Sequence, residues 1–384
     1  MAPSAFMPTS WRTPDIEEYR AQVRRFVATE VAPHQQRWAK QQHVDRELWN
    51  KAGALGMLAS DVPSEYGGSD GSVAHQTVMI EELTAVGDTA FSIGVHAIVQ
   101  QYILKQGTEE QKRRYLPKLA SGEMVGAIAM TEPGGGSDLQ GVRTRAERKG
   151  DRWVLNGAKT FISNGFLADL VIVVARTGTE PGARGISLLL VETKDRPGYR
   201  VGRVLEKLGQ KGQDTCELFF EDVHVPADAV LGGETGRGFY QLMTELPYER
   251  TLIAISAVAA IERAVQITAD YARERMVFGK PLLEMQNTRF VLADAKTKAL
   301  VARTFLDRCI EALAEGRMDS TTASMAKLWT TELQCEVIDD CLQLFGGYGY
   351  MLEYPIAQMY ADARVQRIYG GANEIMKELI ARSL

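Results

Sequence analysis

The runs VGAIAM (residues 125–130), RWVLNG (152–157), LVIVVART (170–177), GISLLLVE (185–192) and CELFFEDVHV (216–225) decide how this chain is to be read. Each is rich in β-branched and aromatic residues, and Gly, Asp, Asn or Pro separates one from the next, which is the pattern of short strands joined by turns. Together they predict a β-domain from Met124 to about Leu231. The texture changes on either side of it. From Thr13 to about Gly122 apolar residues recur at helical spacing, as in Tyr19, Val23, Phe26 and Val27 behind Pro14, a residue suited to a first helical position. Thr108 and Gln111, three apart, predict a capping box opening the stretch EEQKRRYLPKL. After Gly238 helical periodicity returns over about 240–275, 284–315 and 320–345, punctuated by Gly279, Pro281, Gly316, Gly346 and Gly347.

The order helices, sheet, helices predicts an α+β chain. An N-terminal α-helical domain is expected over 1–123, a middle β-barrel-like domain over 124–235 and a C-terminal helical bundle over 236–384. A length of 384 residues suits two or three domains. No internal repeat or long linker interrupts it, so the parts are expected to pack as one body, with ligands at the seams near 130, 160, 250 and 370.

Composition removes several function classes. Hydrophobic residues at 45% and charged ones at 24% are those of a globular chain, neither disordered nor fibrous. A formal charge of −5 offers no basic face for nucleic acid. Cys216, Cys309, Cys335 and Cys341 form no C-x-x-C pair, and His34, His43, His75, His96 and His224 are dispersed, so no metal site is expected. MAPSAFMPTSWRTPDIEEYR lacks an apolar core and soon becomes acidic, unlike a secretory or transit segment. No apolar run approaches the roughly 18 residues of a membrane span. A cytoplasmic enzyme is the simplest expectation, with a mature organellar form left open.

Four segments carry polar chemistry. Ala129–Asp138 (AMTEPGGGSD) follows a short strand and must turn sharply, its three glycines exposing backbone N–H groups that suit a flat polar ring or phosphates. It is neither a P-loop nor a dinucleotide fingerprint, and a bare glycine turn is the plain alternative. Asn156–Gly165 (NGAKTFISNG) sets Phe161 and Ser163 two apart, on one side of a strand, so that one can stack on a ring and the other bond its edge. A core Phe beside a turn-forming Asn-Gly is the plain alternative. Arg273–Pro281 (RERMVFGKP) and Gln343–Tyr350 (QLFGGYGY) place polar groups at helix ends, where a basic last turn and a glycine stop would also stand.

These four segments, in this order across an α, β, α chain, resemble the acyl-CoA dehydrogenase family, and the match runs over essentially the whole length. The nearest resemblance is to long-chain members, through ELPYERTLIA, QDTCELFFED and RIYGGANEIMKELI. The resemblance implies an FAD-dependent enzyme of fatty-acid β-oxidation that converts an acyl-CoA thioester to the trans-2-enoyl-CoA. Met130 and Thr131 would bond the polar edge of the flavin, Ser137 would face the CoA side, and Phe161 and Ser163 would cover the ring. Arg275, Phe278, Gln286, Gln343, Gly346 and Gly347 would reach the pyrophosphate and adenine of a neighbouring subunit's FAD. A homo-oligomer, dimer or tetramer, is therefore implied, with an electron-transfer flavoprotein as acceptor.

Related enzymes carry the catalytic glutamate at one of two positions. Where many read I-Y-E-G-T, this chain has Ile368-Tyr369-Gly370-Gly371-Ala372; the other position holds Glu249 in Leu246-Pro247-Tyr248-Glu249-Arg250. The resemblance thus implies Glu249 as base and the Gly370 N–H, with the FAD ribityl chain, as donors to the thioester oxygen. Arg250 and Gly371, with Ser137, would contact substrate. Taken without the family, Glu249 reads as a first-turn acid complementing a helix dipole, and Arg250 as one half of a surface ion pair. Ala372 and Glu374 depart from the family's common Thr and Gln. An acyl-tail pocket is expected where helices around Val95–Tyr102 meet the carboxyl-terminal ones. An oxidase of the same fold, or a non-catalytic CoA-ester-binding flavoprotein, are the competing readings.

Overall fold

A computed structural model describes residues 8–384; the reading of the extreme amino terminus as free of a targeting segment falls partly on residues 1–7, outside that range. The first part is helical: α1 (Pro14–Phe26), α2 (Gln35–Gln41), α3 (Arg46–Ala54), α4 (Val73–Ala85), α5 (Ile93–Gln106) and α6 (Glu109–Ala120). Two expected signals do their work here. Thr13 caps α1, accepting from Ile16 N–H, with Pro14 at the first position. At α6, Gln111 N–H donates to Thr108 Oγ1 at 3.3 Å while Thr108 N–H donates to Gln111 Oε1 at 3.1 Å, satisfying two amides that the helix start would otherwise leave open.

The middle part holds β1 (Gly126–Ala129), β2 (Arg145–Lys149), β3 (Arg152–Ser163), β4 (Leu170–Arg176), β5 (Ile186–Glu192), β6 (Tyr199–Val204) and β7 (Thr215–Pro226). They form one sheet in the order β1-β4-β2-β3-β7-β6, with β5 also paired to β4. β1 runs parallel to β4, Gly126 opposite Leu170 through Ala129 opposite Val173. Strand β4 is apolar throughout because both its faces are covered. Leu170, Ile172 and Val174 join Tyr102, Ile103, Leu116 and Leu119 of α5 and α6, while Val171, Val173 and Ala175 join Trp153, Leu218 and Phe220 on the opposite face.

The last part consists of α7 (Gly238–Glu274), a hairpin of β8 (Met276–Val277) and β9 (Lys280–Pro281), then α8 (Gln286–Ala314), α9 (Ser320–Phe345), α10 (Pro355–Ala363) and α11 (Asn373–Ala381). Its core is shared with the amino-terminal helices: Met79 and Ile80 of α4 belong to one cluster with Val258 and Ile261 of α7, Leu306 and Ile310 of α8 and Val337 and Ile338 of α9. Contrary to expectation, α7 contains an 18-residue stretch of mean hydropathy 1.6, long and apolar enough to cross a membrane by length and composition. In this fold 61% of that stretch is buried inside the protein, so its apolarity is that of a central bundle helix.

His96 ties the first two parts together. Fully buried on α5, it bonds the Leu119 carbonyl through Nε2 at 3.0 Å and accepts Gly126 N–H at Nδ1 at 3.1 Å. Burial pushes its pKa down to about 4, so the ring is a neutral structural pin between α5 and the first strand. This seam, where α5, α7 and the sheet edge converge, is where the chemical groups collect.

Candidate active site

Helix α7 begins at Gly238, where an added Cβ would come within 2.7 Å of the Ser187 backbone of β5. It then runs without interruption through Pro247. Glu249 therefore lies about three turns inside the helix, not in its first turn, and the dipole reading fails on position alone. Its side chain points inward, with 7% exposure, and Oε1 accepts the Tyr102 hydroxyl of α5 at 2.8 Å. Burial pushes its pKa up to about 7, against the Tyr102 hydrogen bond and the Arg250 charge; Glu245, one turn earlier, pushes the same way as burial. Glu245 is itself buried, its oxygens taken by Lys105 Nζ at 3.2 Å and Gln106 Nε2 at 2.9 Å. Near neutral pH Glu249 is thus a carboxyl group poised between its two forms.

The segment from Ile368 to Ala372 approaches this same face of α7. Gly370 has φ 63° and Gly371 φ 90°, both in the left-handed region that glycine tolerates. A Cβ on Gly370 would sit 2.3 Å from Ile253 Cδ1, one turn beyond Glu249 on the same face of the helix. The sequence position lacking an acid and the position bearing one are therefore spatial neighbours. Lys327 of α9, fully buried, holds the segment by donating to the Gly371 carbonyl at 2.8 Å and Asn373 Oδ1 at 2.7 Å. Arg250 is no surface ion pair: at 3% exposure it donates from Nη1 to Ser324 Oγ at 3.1 Å, and its Nη2 lies 3.9 Å from where a Gly371 Cβ would be. Among the described residues no carboxylate pairs with it. Helix α5 lies against α7: Gly94 faces Leu252, 3.9 Å from its added Cβ to Leu252 Cδ1.

The turn after β1 is built around Glu132. Glu132 and Gly135 exchange backbone hydrogen bonds, and the carboxylate accepts Arg143 N–H at 2.7 Å and Thr144 N–H at 2.8 Å. Lys159, buried on β3, donates to both Glu132 Oε1 and the Met130 carbonyl at 2.9 Å, and Thr160 N–H donates to the Thr131 carbonyl at 3.0 Å. One ammonium thus joins the two motif segments that lie apart in sequence. Burial lowers the Lys159 pKa to about 8, with Glu132 holding it up. The β3 register slips between Lys159 and Ile162, and there Phe161 takes φ 60° with 66% of its surface exposed while Ile162 fills the core beneath. The core-Phe alternative is excluded. Ser163 is half-buried beyond it, Met130 and Thr131 are half-buried, and Ser137 is exposed. Asn164, at φ 61°, anchors the following turn by donating to the Ser92 and Gly126 carbonyls at 3.2 and 3.3 Å.

This arrangement fits a flat, partly polar ring. A strained, outward aromatic stands beside a turn whose Gly134 and Gly135 have open space where a Cβ would be. A second group lies elsewhere. Arg275 caps α7 with its guanidinium 5.4 Å over the Tyr348 ring, and Phe278 and Gly279, at φ 48° and 77°, turn the β8–β9 hairpin so that Phe278 is 98% exposed. Gly346, φ 59°, ends α9; Gly347, Gln343 and Gln286 are exposed. Arg275 is twenty-six residues past Glu249 on one helix, roughly 39 Å along its axis. Within one chain, then, Arg275 at the head of the expected pyrophosphate and adenine contacts stands far along α7 from Glu249. Reading the sequence alone did not single out Tyr102, Glu132, Lys159 or Lys327; Glu132 and Lys159 sit inside quoted motifs, while Tyr102 and Lys327 gave no local signal.

Known proteins resemble this chain over nearly its whole length. The acyl-CoA dehydrogenase N-terminal, middle and C-terminal domain descriptions match residues 13–123, 127–223 and 236–384. The mitochondrial long-chain specific acyl-CoA dehydrogenase of Mus musculus is 50% identical over 369 residues, 95% of this chain and 85% of that protein. The crystal structure of an acyl-CoA dehydrogenase from Geobacillus kaustophilus superposes with a TM-score of 0.95 at 45% identity, covering 98% of this chain and 99% of that one. A glutaryl-CoA dehydrogenase from Mycobacterium smegmatis, solved in complex with FADH2, gives 0.89 at 30% identity over 97% of this chain and 95% of that one.

Proposed function

The chain belongs to the acyl-CoA dehydrogenase family, an FAD-dependent oxidoreductase of acyl-CoA dehydrogenation in fatty-acid oxidation, and on that premise we propose that Glu249 is the base that takes the α proton of the thioester. The observation carrying this reading is a buried carboxylate with a pKa raised to about 7, on the helix face that Gly370 approaches. A carboxyl held near neutrality is both substantially ionised and basic enough to accept a carbon-bound proton that the adjacent thioester has acidified. Bound FAD supplies the acceptor for the hydride that leaves the β carbon, completing the trans-2-enoyl-CoA.

The remaining work belongs to the protein. Gly370 keeps a backbone N–H for the thioester oxygen, whose charge grows as the proton departs, and Lys327 fixes the segment presenting it. Met130, Thr131 and Ser163 orient the ring edge, Phe161 covers it, and Ser137 stands at the substrate side. Lys159 and Glu132 tie the turn after β1 to β3. Enclosure by α5 and α7 keeps water from the carboxylate.

The second group serves the FAD of another copy. Roughly 39 Å of helix separates Arg275 from Glu249, so one chain's Arg275, Phe278, Gln286, Gln343, Gly346 and Gly347 attend a neighbour's cofactor in a homo-oligomer. Exposed Phe278, Phe290, Trp329 and Tyr350 on this last part supply apolar surface for that contact. Electrons then pass to an electron-transfer flavoprotein. The deciding experiment is Glu249→Gln in the holoenzyme: yellow colour and acyl-CoA binding persist while anaerobic flavin bleaching by acyl-CoA falls about 10²–10⁴-fold. An unchanged bleaching rate would remove Glu249 as base, and steady peroxide formation in turnover would favour an oxidase. A panel of straight and branched CoA esters reads the acyl specificity.

A further inference from the structure

We propose that Tyr102 is a positioning residue for this reaction, its hydroxyl tethering one carboxylate oxygen of Glu249 so that the other is held free to receive the substrate proton. The inference rests on Glu249 being the base. Tyr102 lies in α5, 147 positions away in sequence, and its ring is wholly buried in a cluster with Ile103, Leu116, Leu119 and Leu170. A ring enclosed on all sides cannot swing, so its hydroxyl is delivered to one fixed point, 2.8 Å from Glu249 Oε1. Burying a phenol requires a partner for its O–H, and here the partner is the catalytic acid.

The surroundings make this contact decisive for the base. The charged groups facing Glu249 are Glu245 and Arg250 of its own helix, and α5 contributes Tyr102 itself. Lys105 of α5 is engaged by Glu245, and Arg250 is turned to Ser324 of α9, so neither is bonded to the Glu249 oxygens. Tyr102 is the one hydrogen-bond donor to that carboxylate among the described residues. A neutral donor suits the task better than a cation. It favours the ionised form enough to offset part of the burial, yet leaves the carboxylate basic, and it fixes which oxygen is left unbonded.

The test is the pH dependence of anaerobic flavin bleaching by a long-chain acyl-CoA in the holoenzyme. Loss of a hydrogen bond to a charged group in Tyr102→Phe should move the acid limb upward by about one to two pH units, with flavin content unchanged. At a pH below the wild-type limb this appears as a roughly ten-fold or greater slowing, and it should fade at high pH. Placing 3,5-difluorotyrosine at 102 keeps the volume and makes a stronger donor, so the limb should move down; it also decides the question should Tyr102→Phe fail to load FAD. An unmoved limb in the loaded variants overturns the proposal. If Glu249→Gln abolishes bleaching while the limb stays put, only the role of Tyr102 is lost; if Glu249→Gln bleaches normally, the base assignment itself is lost.

Discussion

Two seams of this molecule bury acids to the same depth and treat them oppositely. Where α1, α4, α7 and α8 meet, Glu81 contacts Arg303 at 2.7 Å, Arg20 at 2.8 Å and Arg12 at 3.5 Å, and Glu82 contacts Arg20 and Arg24 at 3.1 and 2.9 Å. Burial pushes the Glu81 carboxyl up, but the three guanidinium groups outweigh it and hold the acid below its ordinary value. Where α5 meets α7, Glu249 is equally enclosed, receives a phenol in place of guanidinium groups, and rises to about 7. Asp61 nearby follows the same rule, its pKa raised by burial against the Tyr248 hydroxyl at 2.8 Å. Depth alone does not decide whether a buried acid's pKa falls or rises; the charge of what it touches does.

Four changes would break or sharpen this contrast. The largest effect is on activity: Glu249→Gln should lower bleaching by about 10²–10⁴-fold, whereas Glu81→Gln should leave the rate per bound flavin within about two-fold of wild type. The next is on stability. Arg303→Met strips Glu81, Glu262 and Asp307 of their shared cation and should cost about 3–5 kcal/mol in denaturant unfolding, without moving the acid limb of the reaction.

Where α5 meets α7 the sign reverses. A carboxyl raised on folding stabilises the fold below its unfolded pKa and loses that contribution as pH rises through the folded value. Glu249→Gln should therefore match wild type near pH 3 and be more stable above about pH 7, by about 3 kcal/mol. Equal stability at both values would show that Glu249 is not held against its charge. The smallest effect comes from Ser324→Asp, which hands Arg250 an acidic partner and weakens its pull on Glu249; the acid limb should climb by roughly half a pH unit.

The same contrast governs what was legible in the sequence. The strands could be read because β4 and its neighbours alternate between two apolar clusters, and the starts of α1 and α6 because capping is local chemistry. Glu249 read as a first-turn acid, yet α7 starts at Gly238 and runs on through Pro247, which sets it about three turns inside the helix. The left-handed Phe161 and Phe278 could be located but not their backbone, because a bulge and a two-residue turn are set by the pairing of strands. Tyr102 and Lys327 meet their partners across 147 and 44 positions, and no local pattern encodes such contacts.

The length of α7 has a genetic corollary. If one rod carries the proton acceptor of one centre and the anion-binding end of the next, a defect in either belongs to a different pair of chains. Co-expressed with separable tags, a Glu249→Gln chain and an Arg275→Ala chain, each crippled alone, would assemble into mixed oligomers in which one centre inherits both lesions and another inherits none. Interallelic complementation, with up to about half the centres of a mixed pair restored, is the signature that a helix of this span would leave in a cross.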